Sequence, residues 1–347
     1  MLRVKGRQQR PATSRRWCHA VCCLGIISWG LGSVQAQTSQ MKEGAPAWAY
    51  GYKPASEPAP PKGERRNAPP ANEVLHLAGS SGAFTKKQIN DPFGPADWFP
   101  GDHPKMPDVV ANGRRPKVWA CSLCHYANGK GRSENAGVAG LPVSYFIHQF
   151  EDFKNGLRNS ADEHKGNTKL MAVYAQNMTD QEVKEAAEYF GSMKWTPWIK
   201  VVETSTVPKT RVNIGMYLPV EGAGKEPLGE RIIEVPVSTE QTEVYRNPRS
   251  GFIAYVPVGS VKKGEALVTE GGSKTVRCGI CHGADLKGMG PVPGIAGRSP
   301  SYLVRELYDM QQGTRRGEWS SLMKPVVSHL TNADMVNIAA YVSSRTP

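Results

Sequence analysis

Two stretches decide how this chain reads: Cys121-Ser-Leu-Cys-His125 and Cys278-Gly-Ile-Cys-His282. Each sets two thiols three residues apart with an imidazole directly behind the second, so two sulfurs and a ring nitrogen meet in one small region. Taken singly, such a motif is compatible with a disulfide, a thioredoxin-like dithiol or half of a zinc site. The sequence around each copy separates these readings.

Working outward, the two copies lie in a repeat. A shift of 157 residues carries Cys121, Cys124 and His125 onto Cys278, Cys281 and His282. It also carries Ala139-Gly140 onto Ala296-Gly297, Ser144-Tyr145 onto Ser301-Tyr302, Gly156 onto Gly313 and Arg158 onto Arg315. After a five-residue contraction in one loop, a shift of 152 aligns Met171 with Met323, Thr179 with Thr331 and Tyr189 with Tyr341. Thr179-x-x-Glu182 and Thr331-x-x-Asp334 have the form of capping boxes, which satisfy free backbone donors at a helix start and predict a helix after each. Val183, Ala186, Ala187 and Phe190, like Met335, Ile338, Ala339 and Val342, fall at i, i+3, i+4 and i+7. Each helix is therefore expected to bury one narrow stripe.

A zinc site pooling all four thiols would draw ligands from separate repeats and leave the histidines and downstream methionines unexplained. Covalent haem explains them: the two thiols bond the vinyl-derived carbons of one haem while the adjacent imidazole reaches its iron. His125 and His282 are then proximal ligands, and a soft or imidazole donor is expected from the loop ahead of the last helix. Met171 and Met323 stand there at equivalent positions, eight residues before the capping threonines. Met178, His148 and His164 compete in the first module, and Met289, Met310 and His329 in the second, but none pairs across the repeat. Met178 aligns with Leu330 and reads as core; His148 aligns with Arg305 and reads as an exposed helix residue.

On these residues the chain resembles the class I c-type cytochromes in their tandem two-haem arrangement, over about two thirds of its length. The resemblance implies a mainly α fold, with two cytochrome c domains in tandem joined by an irregular, strand-containing segment. It implies two covalently bound haem c groups on Cys121, Cys124, Cys278 and Cys281, iron held by His125 with Met171 and by His282 with Met323, and transfer of electrons. The family usually places a proline whose carbonyl holds the proximal imidazole. Pro293 fits that position, whereas Ala136 occupies the equivalent one in the first module.

The remaining sequence frames this reading. Residues 1–36 combine six basic residues and no acid with an apolar run from Trp17 to Val34 and a small-residue site at Val34-Gln35-Ala36, the pattern of a cleaved signal peptide and a periplasmic product. Cleavage would lower the formal charge from +12 to +6, and no aromatic and basic stripe suggests base stacking, so nucleic acid is not an expected partner. Residues 37–72 lack apolar periodicity and read as a flexible segment. The domains are expected at 73–197 and 256–347. The segment 198–255 between them is longer than a plain linker and carries the strand-like run Arg231-Ile-Ile-Glu-Val-Pro-Val237, suited to clamping both domains or docking a partner.

The expected function is a periplasmic electron carrier between a dehydrogenase or quinol-oxidising complex and a terminal acceptor such as an oxidase, working free or peripherally at the membrane. The alternatives are a haem-bearing subunit of a dehydrogenase complex and a dihaem enzyme such as a peroxidase, which needs an iron position that opens. An enzyme with a cysteine-ligated iron is disfavoured, because every mature cysteine is already committed.

Overall fold

The computed structural model describes residues 44–52 and 69–347, and these belong to one compact unit. The expected signal peptide lies outside the described residues. Module 1 opens with a hairpin of β1 (Val74–His76) and β2 (Ala83–Thr85), followed by the short helices α1 (Lys86–Ile89) and α2 (Asp108–Ala111). It continues with α3 (Cys121–His125), α4 (Val143–Lys154), α5 (Gly166–Asn177) and α6 (Asp180–Gly191).

Helix α6 begins where its capping box predicts. Thr179 Oγ1 accepts from the Glu182 backbone amide at 3.2 Å, and the Glu182 carboxylate accepts from the Thr179 amide at 2.7 Å. The stripe Val183, Ala186, Ala187 and Phe190 is buried, packed with Phe146, Phe150 and Phe153 of α4.

A middle segment follows: β3 (Ile199–Glu203), β4 (Thr206–Pro208), β5 (Thr210–Asn213), β6 (Met216–Pro219), β7 (Lys225–Pro227), β8 (Ile233–Pro236), α7 (Thr239–Glu243) and β9 (Phe252–Val256). Strand β9 lies at the centre of a three-stranded sheet, parallel to β3 and antiparallel to β8. The run expected to be a strand is one, but all four residues of β8 are buried. Both faces of β8 are used: Ile233 and Val235 pack with Val207, Tyr217 and Leu228, while the Glu234 carboxylate accepts from Ser299 Oγ at 2.7 Å. Toward module 1 the segment donates from Trp198 Nε1 to the Gly131 carbonyl at 3.2 Å and accepts at the Pro248 carbonyl from Asn128 at 2.6 Å. The segment clamps both modules.

Module 2 contains α8 (Ser260–Glu270), α9 (Gly279–His282), a small hairpin of β10 (Gly288–Met289) and β11 (Val292–Pro293), α10 (Pro300–Gln312), a 3-10 turn (Glu318–Met323), α11 (Lys324–Val327) and α12 (Asn332–Ser344). Helix α12 starts at its capping box, with Thr331 Oγ1 accepting from the Asp334 amide at 3.1 Å. Its expected stripe is buried, but so is nearly every residue from Asp334 to Ser343. The single-stripe expectation fails because α8 and β3 cover the sides that α10 leaves open. Helices α8 and α12 approach so closely at Gly264 that a β-carbon there would overlap the Asn337 carbonyl.

The flexible reading of residues 37–72 also needs correction for residues 44–52. A 3-10 turn at Ala47–Tyr50 buries Ala49 and Tyr50 against module 2. Tyr50 Oη donates to Asp309 at 2.7 Å, and Arg305 Nη1 donates to the Ala49 carbonyl at 2.6 Å. A single aromatic turn spans too few residues to show a helical period, so its burial left no trace in the pattern.

Candidate functional site

Helix α3 is fixed from behind: Ser122 Oγ donates to the Val110 carbonyl at 2.7 Å. His125 Nδ1 lies 2.8 Å from the Ala136 carbonyl, and His282 Nδ1 lies 2.8 Å from the Pro293 carbonyl. A carbonyl only accepts, so both imidazoles carry hydrogen on Nδ1 and leave the Nε2 lone pair free for a metal. Burial pulls both histidines below the usual imidazole range, which favours this neutral form. The acceptor belongs to the backbone, so Ala136 supplies the same hydrogen bond as the expected proline.

A cavity of about 260 Å³ opens beside α3. Cys121, Cys124, His125 and Met171 line it together with Val118, Phe146, Phe150 and Phe190. A second cavity of about 220 Å³ is lined by Cys278, Cys281, His282 and Met323 with Ile295, Leu303, Leu330 and Val342. In each module the methionine reaches the cavity from a different element than the motif: Met171 from α5, Met323 from the end of the 3-10 turn. Burial pushes the Cys121 thiol up to about 12 and Cys278 to about 11. Such thiols are not the activated thiolates of a dithiol redox site. Among the described residues no group of three or more His, Cys, Asp or Glu side chains is placed to hold a metal ion by itself.

Leu141 and five polar residues line both cavities, the polar ones being Tyr145 and Gln149 from α4, Tyr302 and Glu306 from α10, and Arg315. With Arg158 these five form a buried cluster about the place where Arg158 and Arg315, partners in the repeat, pair as an antiparallel bridge. Arg158 donates to Gln149 at 2.9 Å, to Tyr302 Oη at 3.2 Å and to Glu306 at 3.2 Å. Arg315 donates to Tyr145 Oη at 2.8 Å, to Gln149 at 2.9 Å and to Glu306. Each arginine thus reaches the tyrosine of the other module. Symmetry breaks at one pair: Gln149 is neutral where Glu306 carries a carboxylate. Burial opposes that charge, but Arg158 and Arg315 more than offset it and hold Glu306 below the usual carboxylate range. Asp152 is a second buried carboxylate within reach of both guanidiniums, and Arg305 is a third cation acting on Glu306. Arg298 adds a further link, donating to the Gly137 and Ala139 carbonyls at 2.9 and 3.0 Å.

Of the competing ligands, Met178 and Met310 do line a cavity, as buried residues. His148, His164, Met289 and His329 line neither. His148, expected to be exposed, is half-buried with its ring 5.7 Å from that of Trp319. His164 is exposed and pairs with Asp162 at 2.8 Å. The inter-cavity cluster was not anticipated, although Tyr145, Tyr302, Arg158 and Arg315 all stood in the repeat alignment. Large polar side chains recurring beside a cofactor motif were the available signal.

The chemistry fits a flat apolar macrocycle carrying acidic side chains: paired thiols, a fixed imidazole with a free lone pair and a thioether share each apolar cavity, and buried guanidiniums border it. Two modules so equipped define a c-type haem protein with two centres. No protein-family model matches the chain. It is 37% identical over 76 residues to cytochrome c-554(548) of Halomonas halodenitrificans, covering 92% of that protein and 22% of this chain. It is 23% identical over 233 residues to cytochrome c4 of Azotobacter vinelandii, 65% of this chain and 84% of the other. A thiosulfate dehydrogenase electron acceptor of Stutzerimonas stutzeri is 22% identical over 236 residues, 67% of this chain and 82% of that protein. The match to cytochrome c-552 of Acidithiobacillus ferridurans, 35% identical over 85 residues and 24% of this chain, spans only 36% of that relative.

The chain belongs to the class I c-type cytochromes, in their tandem dihaem form. It carries two covalently bound haem c groups and functions in electron transfer. No described helix is long and apolar enough to cross a membrane.

Proposed function

We propose that Cys121 and Cys124 would attach one haem whose iron His125 and Met171 would hold, and that Cys278, Cys281, His282 and Met323 would do the same for the other. We further propose that the chain works in the periplasm, relaying single electrons from a dehydrogenase or quinol-oxidising complex toward a terminal acceptor. The observation that supports the ligand set is the hydrogen bond from each Nδ1 to a backbone carbonyl, which leaves Nε2 free on a ring that lines the same cavity as the methionine. The haem iron supplies the one-electron couple. Met171 and Met323 favour its reduced state through a soft sulfur donor, and the apolar linings disfavour the additional ferric charge. Arg158, Arg305 and Arg315 border the first cavity, and Arg298 and Arg315 the second, where they would face the acidic side chains of the macrocycle. The relative named as an electron acceptor of thiosulfate dehydrogenase supports a dehydrogenase as donor.

Mass spectrometry of the denatured, acid-solvent-extracted protein is the direct test. Two haem masses are expected on the wild-type chain, one on Cys121→Ser/Cys124→Ser and one on Cys278→Ser/Cys281→Ser. A colourless wild-type chain at its bare peptide mass overturns the assignment.

A further inference from the structure

The two modules differ in exposure at several positions that the repeat makes equivalent. Leu123 and Ile280 stand at matched positions between the cysteines, yet Leu123 is 8% exposed and Ile280 53%. Leu170 and Leu322, each just ahead of the cavity methionine, are 36% and 67% exposed. Arg132 pairs with Glu134 at 2.5 Å with its side chain 9% exposed, whereas Met289, its repeat partner, is 55% exposed.

The cover over module 1 comes from the middle segment. Arg246 lies on α3 and donates to the Leu123 carbonyl, Trp198 donates to Gly131, and the turn between β5 and β6 brings Gly215 against Glu134. In module 2 no residue of α9 is buried.

Cations border the apolar rim of both modules: in module 1 the exposed Lys117 and Lys169 stand beside Trp119 and Leu170 in the chain, so the division lies in apolar exposure. Exposed cations flank the module 2 apolar residues: Arg277 beside Val276, Lys287 two residues before Met289, and Lys324 two after Leu322. The matched positions in module 1 hold Ala120, Lys130 and Ala172. Lys287 Nζ donates to the Pro347 main-chain oxygen at 2.9 Å, and Asp285 accepts from the Lys287 amide at 3.1 Å.

We propose that module 2, not module 1, is the docking face for protein redox partners, and that the partner presents an apolar patch bordered by carboxylates. The inference rests on the electron-carrier reading and adds to it the port of entry and the chemistry of the partner's surface. Desolvating Ile280, Met289 and Leu322 supplies contact, and the cations steer an acidic surface onto it. One electron then leaves the reduced partner at module 2 and reaches module 1 within the molecule.

The test uses the full-length haem-loaded protein and an acidic plant-type [2Fe–2S] ferredoxin as probe. Arg277→Glu/Lys324→Glu is expected to weaken binding of the oxidised probe, and to slow reduction by the reduced probe, by about tenfold or more at low salt, with the difference shrinking as salt rises. Arg277→Glu/Lys287→Glu, away from Met323, repeats the test. Val173→Glu, on the exposed rim of module 1, is expected to change neither. Equal slowing by Val173→Glu, or no effect of either module 2 pair, overturns the docking face while full reduction by dithionite keeps the carrier reading intact. A wild-type protein that takes up no electrons from dithionite overturns the carrier reading itself.

Discussion

At the scale of single residues, a ligand is made by geometry that a residue's neighbours impose. With Met171 and Met323 as axial ligands, Met171→Leu and Met323→Leu should each remove about half of the sulfur-to-iron absorption and lower one of the two potentials. Potentiometric titration followed in that band measures both effects, and an unchanged spectrum in both variants refutes the ligand set. That these cysteines, histidines and methionines meet in one cavity per module was legible because their types and spacing recur across the repeat. What Ala136 contributes was not, because a hydrogen bond accepted by a backbone carbonyl is silent in sequence. Glu234 is a second buried group with a measurable signature. Burial raises it above the usual carboxylate range, with Ser299 and Ser301 pulling the other way. A raised acid stabilises the fold fully below its unfolded value, and that contribution is lost as pH rises through the folded one. Glu234→Gln should therefore gain about 1–3 kcal/mol at pH 7–8, little at pH 4, and flatten the pH profile of thermal unfolding.

At the scale of elements, local signals were read well and non-local ones poorly. The capping boxes at Thr179 and Thr331 announced α6 and α12 because the donors, the hydroxyl and the carboxylate all lie within four residues. Thr331→Ala should cost about 1 kcal/mol in thermal unfolding. That α12 is buried almost all round was invisible, since its cover is supplied by α8 and by β3 from the middle segment. Gly264 sits at that crossing, and Gly264→Ala should cost about 1–3 kcal/mol by forcing α8 away from the Asn337 carbonyl. The pairing of β8 with β9 was likewise hidden. The strand-like run 231–237 carries no mark of what covers it, yet two different partners, the β4–β7 layer and Ser299, occupy its two sides.

At the scale of the molecule, the segment 198–255 holds two repeats in one compact unit around a shared charged core. Removing Glu306 leaves Arg158 and Arg315 buried without the carboxylate to which both donate. Glu306→Gln should thus destabilise the fold by about 3–5 kcal/mol, and it should raise both potentials, because a negative charge bordering both cavities favours the ferric state of each. Thermal unfolding and a redox titration of the same sample check the two parts together. The tandem architecture itself was plain from the repeat, whereas the cluster depends on a contact between residues some 150 positions apart that only folding brings together. The Arg158–Arg315 bridge has one more effect. Centres that lean on a common set of charges cannot fill independently: the first electron to arrive spends part of the field that would have welcomed the second. Uptake should be anticooperative, spread over a wider span of applied voltage than two isolated centres of the same kind would need.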